Sequence, residues 1–229
     1  VVVMPTDAPD VKRRGAERLG AEVVFEGTTS LQRKARAEAI AKAEGLHVVP
    51  PFDHAHIIAG QGTAGLEILT EWPEADTIFA PIGGGGLLSG VAAAVREMKP
   101  NARIYGVEPR GAAAMRAALD AGHPVTLEST DTIADGLRPV RSGDLTFEHT
   151  RSLVDDVILV EDAQIRSAAS LLLARTKLVV EFSGAATVAA VRSGVVPVEG
   201  RRVAAVLSGG NLDPLILGEL ASGEPDSAV

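Results

Sequence analysis

Four consecutive glycines, Gly83–Gly86, stand between a short apolar segment and an apolar helical pattern. Four glycines in a row lose a large amount of chain entropy on folding, whereas a strand-to-helix turn normally needs only one or two. Without Cβ atoms, several backbone N–H groups can converge on an anion, and the N-terminus of the following helix adds positive potential. The glycines therefore predict an anion-binding loop at the carboxyl end of a strand.

The spacing of the glycines limits the class of anion. A dinucleotide fingerprint that starts at Gly84 requires glycine at position 89, where Ser89 stands, although an acid, Glu108, does end the next predicted strand. A nicotinamide-dependent protein therefore stays open as an alternative. The loop lacks the Gly-Lys-Ser/Thr ending of a nucleoside-triphosphate loop. A small monophosphate is the better prediction.

A second glycine signal, Ser208–Asn211, also follows a predicted buried strand. Ligands of open parallel sheets bind at the carboxyl ends of the strands. A hydroxyl there, followed by two glycines, can reach a ligand that lies across the sheet. An ordinary polar turn is the alternative.

Four other segments carry weaker signals. Thr132–Gly136 lies in the longest irregular stretch, where active-site loops are common. Glu181 is either a solvent-facing residue at a helix start or a buried acid near the ligand. Gly60–Thr63 fits helix packing and backbone approach to a ligand equally well. The acid and two histidines of Asp53–His56 have no partners at ligand spacing, so they do not favour a metal site.

These loops need a framework of alternating strands and helices, and the sequence predicts one. The predicted strands are Val1–Met4, Glu22–Phe25, His47–Val49, Thr77–Ile82, Ile104–Val107, Val157–Val160 and Val203–Leu207. The predicted helices are Ala8–Leu19, Ser30–Glu44, Ile57–Trp72, Leu87–Met98, Ala112–Ala121, Asp162–Leu173 and Ser183–Ser193, with 129–144 irregular. This pattern predicts an α/β fold, an open twisted parallel sheet with helices on both faces. The break at Pro50-Pro51 divides an incomplete smaller domain (1–47) from a large domain (48–229).

Composition excludes several classes of function. The net charge of −8 argues against nucleic acid or an anionic membrane as the main partner, and the basic cluster Lys12–Arg14 is interpreted as a solvated helix face. The 229 residues contain no cysteine, which excludes disulfides, thiol catalysis and cysteine zinc sites. No apolar run reaches the length of a membrane span, and the first residues lack the features of a secretory signal. We therefore expect the protein in the cytoplasm.

Six motifs in order along the chain resemble the threonine/serine dehydratases (ammonia-lyases) of the fold-type II pyridoxal-phosphate enzymes, a group that includes serine racemase. The motifs are Pro50–Asp53, Ile58–Thr63, Pro81–Leu87, Gly106–Pro109, Thr132–Gly136 and Ser208–Asn211. The resemblance runs from Val1 to about Pro214. It implies a tryptophan synthase β-like fold, pyridoxal 5′-phosphate as cofactor, a small amino acid as substrate and a homodimer in the full-length protein.

The resemblance also implies roles for individual residues. The backbone N–H groups of Gly83, Gly84, Gly85, Gly86 and Leu87 would bind the cofactor phosphate. Ser208 would hydrogen-bond the pyridine nitrogen, with Gly209 beside it, while Gly136 would lie near the ring and Glu181 near the cofactor edge. A neutral hydroxyl at that nitrogen leaves the ring a weaker electron sink than an aspartate would. This favours loss of the β-hydroxyl of serine or threonine over transamination.

The sequence departs from the family in one respect that concerns catalysis. The Schiff-base lysine of the family lies in a Ser-Phe-Lys-x-Arg-Gly type motif, followed by a Gly-Asn-His motif, and neither occurs here. The lysines of this chain are Lys12, Lys34, Lys42, Lys99 and Lys177, and none has such a setting. We therefore expect that an N-terminal part, on the order of a hundred residues, is missing from a fragment that is inactive alone. A non-catalytic phosphate-binding module remains an alternative.

A second departure concerns metal binding and the choice of reaction. The cation site of racemase-like members would use Glu108, the carbonyl of Ala112 and an aspartate at position 114, but this chain has Ala114. We therefore predict no metal site. Phe52, where racemases tend to carry asparagine, also favours a dehydratase, with an amino-acid racemase as the alternative.

Overall fold

The computed structural model describes residues 1–222 and contains six strands and nine α-helices in that range. The strands are β1 (Val2–Met4), β2 (Val23–Phe25), β3 (Thr77–Pro81), β4 (Arg103–Pro109), β5 (Asp156–Val160) and β6 (Val203–Ala205). The helices are α1 (Asp10–Arg18), α2 (Ser30–Glu44), α3 (Ala55–Glu71), α4 (Gly86–Met98), α5 (Ala114–Ala121), α6 (Asp144–Leu153), α7 (Asp162–Thr176), α8 (Phe182–Arg192) and α9 (Pro214–Ser222). No helix in this range is long and apolar enough to cross a membrane.

The strands form two parallel sheets. β1 pairs with β2, and the larger sheet has the order β5-β4-β3-β6. Every residue of β3 is buried, as expected for a central strand covered on both faces. Side chains of β3 alternate between two cores: Ile78 and Ala80 pack toward α3 and α4, while Phe79 packs toward α7 and α8. This confirms the predicted α/β fold with helices on both faces of a parallel sheet.

Helix α2 shows how closely local sequence can fix an element. Thr29 accepts a hydrogen bond from the backbone of Gln32, and the Gln32 side chain accepts one from the backbone of Thr29, which is a capping box. At the other end Gly45 has φ +68°, a left-handed conformation that glycine adopts easily. The observed bounds are those predicted from the sequence.

Two predicted strands need correction. His47–Val49 is not a strand, and Val49 is 73% exposed. Pro50 and Pro51, which follow it, have no N–H groups to donate to a neighbouring strand. The last strand, β6, is also shorter than predicted, since it ends at Ala205.

Two helices, α6 and α9, lie outside the sequence-based prediction. Helix α6 begins at the last residue of the stretch predicted as irregular. A side chain from a segment distant in sequence caps its N-terminus, as described below. The residues near residue 144 therefore did not predict where the helix starts. The predicted domain boundary near residue 47 stays a prediction, although the two sheets lie on either side of it.

Helices α3 and α4 pack backbone to backbone. A Cβ on Gly90 of α4 would overlap the carbonyl oxygen of Ile58, and one on Gly62 of α3 would lie 3.2 Å from the carbonyl oxygen of Gly90. Gly62 is therefore a packing residue, whereas Gly60 has open space around it. This close contact fixes the direction of α4, the helix that follows the four glycines.

Candidate functional site

The candidate site lies where β3 and β6 end side by side. Phe79 of β3 is paired with Ala205 of β6 in a parallel register. The loops that follow these strands, Gly83–Gly86 and Ser208–Asn211, therefore leave the same edge of the sheet. The topology brings together the two glycine loops on which the sequence-based prediction depends.

The first loop presents a run of backbone donors. Gly85 has φ +98°, and α4 begins at the next residue. Within residues 1–222, no hydrogen bond has the N–H group of any residue from 83 to 87 as its donor. Gly84, Gly85 and Gly86 are buried. Unpartnered N–H groups in a buried loop at a helix N-terminus form the donor set of an anion site.

Neighbouring side chains explain why the loop contains only glycine. A Cβ on Gly84 would overlap the ring of Phe52, and a Cβ on Gly86 would lie 2.9 Å from the Phe52 Cβ. A Cβ on Gly85 would lie 2.8 Å from Oγ1 of Thr146. Phe52 and Thr146 therefore cover the loop on the side where side chains would stand.

Asp53 holds these neighbours in place. Its carboxylate accepts hydrogen bonds from the backbone N–H groups of Asp144, Leu145 and Thr146, at 3.0, 3.0 and 3.2 Å, and so caps α6. Thr146, in the first turn of α6, donates its hydroxyl proton to the carbonyl oxygen of Gly84 at 2.6 Å. Asp53 thus acts on the glycine loop through α6.

No feature of the sequence indicated the role of Thr146, whereas Asp53 belongs to the motif Pro50–Asp53. Its neighbours His54 and His56 are exposed, and no group of three or more metal-binding side chains occurs in residues 1–222.

The predicted residues outside the first loop form a continuous strip beside it. A Cβ on Gly83 would lie 2.9 Å from the carbonyl oxygen of Gly136, and Gly136 donates its N–H to Oγ of Ser183 at 2.9 Å. Cβ atoms on Gly136 and Gly209 would lie 3.7 and 2.5 Å from Oε1 of Glu181. The sequence had placed Gly83, Gly136, Glu181 and Gly209 in one site, and the structure brings them together.

The side chain of Glu181 is largely buried and does not face solvent, and its place near a ligand stays a prediction. Its side chain is 12% exposed, and it stands immediately before α8. Its backbone N–H donates to the carbonyl oxygen of Gly209 at 3.1 Å, which ties it to the second loop. Its Oε2 is buried and makes no hydrogen bond in the described part of the chain.

Ser208 stands in the second loop and is exposed. Its hydroxyl makes no hydrogen bond with any residue from 1 to 222, so it is available to a ligand at this edge of the sheet.

Lys12 reaches the same strip from α1. Its Nζ lies 2.8 Å from Oδ2 of Asp135 and 3.4 Å from Oε2 of Glu181. Burial opposes the charge, but the hydrogen bond with Asp135 and the charges of both carboxylates outweigh it and raise the pKa of the Lys12 ammonium. The sequence-based interpretation of the basic cluster is therefore wrong for Lys12. It holds for Arg13 and Arg14, whose partners are exposed acids of α1.

Glu108 lies inside the protein and caps a helix. Its two carboxylate oxygens accept hydrogen bonds from the backbone N–H groups of Met115 and Arg116, at 2.8 and 2.9 Å. Burial raises its pKa to about 7, against the opposing effect of these two hydrogen bonds. Since both oxygens serve the N-terminus of α5, the structure gives Glu108 a structural role. This removes the support that it lent to a nicotinamide site.

The residues present fit a planar ligand that carries a phosphate. Unpartnered N–H groups would hold the phosphate, and the loop that carries them has no room for side chains at Gly84, Gly85 and Gly86. The free hydroxyl of Ser208 follows the neighbouring strand, and Glu181 and Gly136 lie between the two loops. A ligand of this kind would be bound by the main chain at one end and by a neutral hydroxyl at the other.

Comparison with known proteins gives one family. The family described as "Pyridoxal-phosphate dependent enzyme" matches residues 1–209. The catabolic L-threonine dehydratase TdcB of Escherichia coli K12 is 39% identical over 214 residues, which are 93% of this chain. The chain spans 65% of the length of that enzyme.

Serine racemases are similarly related. Serine racemase of Schizosaccharomyces pombe is 37% identical over 212 residues, covering 93% of this chain and 66% of the racemase. The structure of maize serine racemase superimposes with a TM-score of 0.88 at 37% identity, covering 95% of this chain and 67% of that one.

Proposed function

Since the chain belongs to the pyridoxal-phosphate-dependent enzymes, in the fold-type II threonine/serine dehydratase group, we propose that its protein converts L-threonine or L-serine into a 2-oxo acid and ammonia. The β-hydroxyl leaves as water, and hydrolysis of the released enamine then frees ammonia. The cofactor is pyridoxal phosphate. The observation that carries the proposal is the run of unpartnered N–H groups from Gly83 to Leu87, beside the loop that contains Ser208.

Each part of the proposed site has a task. When bound, pyridoxal phosphate supplies an electron-withdrawing ring that stabilises negative charge at the α-carbon of the substrate. The N–H groups of residues 83–87 hold the phosphate. Ser208 would donate its hydroxyl proton in a hydrogen bond to the uncharged pyridine nitrogen, which favours loss of the β-hydroxyl.

Three of the five lysines make side-chain hydrogen bonds of their own in the described part of the chain. Lys99 Nζ donates to the carbonyl oxygens of Pro73 and Ala75, both at 2.8 Å, and Lys177 donates to that of Ala174. Lys12 is paired with Asp135 and Glu181. Because the chain spans only part of its curated relatives, the activity of the whole protein is part of the proposal.

Cofactor binding can be tested on the 229-residue chain itself. Pyridoxine 5′-phosphate carries no aldehyde and cannot react with lysine, so calorimetry reports only non-covalent binding at the site. We expect it to bind at least about tenfold more tightly than pyridoxine, because the loop recognises the phosphate. Equal affinity for the two compounds would contradict the assignment of the loop.

The reaction is tested on the protein encoded by its native gene. We expect 2-oxobutanoate to form from L-threonine when pyridoxal phosphate is present. Release of ammonia in equal amount is the matching control, since both products come from one substrate molecule.

Serine racemization is the second candidate, because serine racemases share 37% identity with the chain in both comparisons. D-serine formed from L-serine, without a 2-oxo acid, would replace the dehydratase proposal. The alanine at position 114 and the capping role of Glu108 favour the dehydratase, since a racemase-like cation site would need acidic ligands there. We further propose a homodimer, which sedimentation of the same protein tests.

A further inference from the structure

Few ion pairs connect the segment that holds β1, β2, α1 and α2 with the rest of the described chain. Within residues 1–222, two ion-paired centres link residues 1–47 to the rest. Arg138 lies 3.1 Å from Asp7, and Lys12 lies within 3.4 Å of both Asp135 and Glu181. Only the second of these centres includes a residue of the candidate site.

Lys12 is placed differently from an ordinary surface lysine. Its side chain is 27% exposed, and it borders a cavity of about 600 Å³ between α1 and Asn211 of the second glycine loop. Its ammonium lies between two carboxylates from different elements, one in the turn at Asp135–Leu137 and one before α8. It therefore joins α1 to both of these elements at once.

Glu181 has no cation other than Lys12 among its ion pairs in the described chain. One of its oxygens lies against Gly209 and Gly136, where added Cβ atoms would come within 2.5 and 3.7 Å. The other oxygen is buried and has no hydrogen-bond donor apart from the ammonium 3.4 Å away. Without Lys12, two carboxylates would remain unbalanced beside a site that takes an anionic ligand, and like charges repel.

We propose that Lys12 is a positioning residue of the cofactor site. Its ammonium holds the Glu181 carboxylate against the two glycine loops and offsets the negative charge of Glu181 and Asp135 near the bound phosphate ligand. This inference rests on the proposed function, since it assumes that the cofactor lies between these loops. It adds a contribution from α1, outside the large sheet.

The test compares Lys12→Met with a matched control, Arg138→Met. Both substitutions remove one positive charge and break ion pairing between the same two parts of the chain. Lys12→Met breaks the pairs with Asp135 and Glu181, whereas Arg138→Met breaks only the pair with Asp7, which is not a site residue. Pyridoxine 5′-phosphate is the probe. We expect Lys12→Met to weaken its binding about tenfold and to shift the fluorescence of the bound ring, and Arg138→Met to stay within about twofold.

Two further variants separate positioning from a general structural effect. Lys12→Arg keeps the charge, and we expect it to restore binding to within about threefold of the unaltered chain. In a Glu181→Gln background the Lys12→Met effect should shrink by at least about threefold, because its partner has lost its charge. Circular dichroism checks folding, and Lys12→Gln replaces Lys12→Met in every comparison if the methionine variant does not fold.

The outcomes distinguish this inference from the proposed function. If the unaltered chain does not bind pyridoxine 5′-phosphate, the assignment of the glycine loop and the role of Lys12 are both overturned, whereas the reaction is decided separately by the protein of the native gene. If it binds but Lys12→Met binds equally well, or if Lys12→Met and Arg138→Met lose the same affinity, only the role of Lys12 is overturned. An undiminished Lys12→Met effect in the Glu181→Gln background likewise shows that Lys12 does not act through Glu181.

Discussion

At the scale of single residues, Gly85 combines two constraints that other loop positions do not share. Its φ of +98° is unfavourable for residues with a Cβ, and that Cβ would lie 2.8 Å from Thr146. We expect Gly85→Ala to lower the free energy of unfolding by roughly 2 kcal/mol and to weaken binding of pyridoxine 5′-phosphate. Urea unfolding and calorimetry measure the two effects.

Gly60→Ala is the matched control for that substitution. Gly60 is exposed inside α3, and a Cβ there would meet nothing within 4 Å. Alanine should therefore stabilise the helix by roughly 0.5–1 kcal/mol. If both variants behave alike, the geometry assigned to the glycine loop is wrong.

Glu108 makes stability depend on pH. Its pKa is raised from 4.5 to about 7 in the folded protein, so folding favours its neutral form. Its contribution to stability is greatest below pH 4.5 and is lost as the pH rises through 7. The difference in unfolding free energy between Glu108→Gln and the unaltered chain should thus change by roughly 3 kcal/mol from pH 4.5 to pH 8, in favour of glutamine.

Urea unfolding of both proteins at the two pH values measures this difference. Glu97→Gln is the control, since Glu97 is exposed and makes no ion pair in residues 1–222. A difference for Glu108→Gln that does not vary with pH would contradict the assigned burial.

At the scale of elements, the cap that Asp53 provides for α6 connects two segments about ninety residues apart in sequence. Asp53→Ala should cost about 1–2 kcal/mol, because three N–H groups at the start of α6 lose their acceptor. We also expect faster amide hydrogen exchange in Asp144–Leu153 and weaker binding of pyridoxine 5′-phosphate, since Thr146 contacts Gly84.

Asp144→Asn is the control for the cap. Asp144 stands in the first turn of the same helix, but its exposed side chain pairs with Arg141 and does not take part in the cap. Unchanged exchange in α6 after Asp53→Ala would show that the helix does not depend on this cap.

At the scale of the whole molecule, the described residues are packed unevenly. No residue from 1 to 57 is fully buried, whereas β3 and most of β4 are buried completely. Segments with little buried surface open more easily. We expect amides of β1 and β2 to exchange at least roughly a hundredfold faster than those of β3 and β4, after correction for intrinsic rates. Equal protection would indicate that the two sheets unfold as one unit.

The sequence predicted what local patterns and main-chain chemistry determine. The capping box at Thr29, the buried run of β3 and the two glycine loops lie within a few residues of the features that specify them. The start of α6 and the pairing of Lys12 depend on Asp53, Asp135 and Glu181, which are distant in sequence. Local periodicity reports that Lys12 lies on a helix, but the partner that faces it is set by the folded chain.

In the proposed site the glycine loop would bind phosphate through backbone groups, and this bears on how such a protein can diversify. An N–H donor is the same whatever side chain its residue carries, so substitutions elsewhere leave phosphate recognition unchanged as long as the chain path is kept. Phe52, Thr146 and the backbone contact between α3 and α4 maintain that path. Residues that contact the substrate could then change, and the reaction with them, while the phosphate of the ligand remains bound. The relatives include proteins named as dehydratases and as racemases, as expected if phosphate binding is kept while the reaction changes.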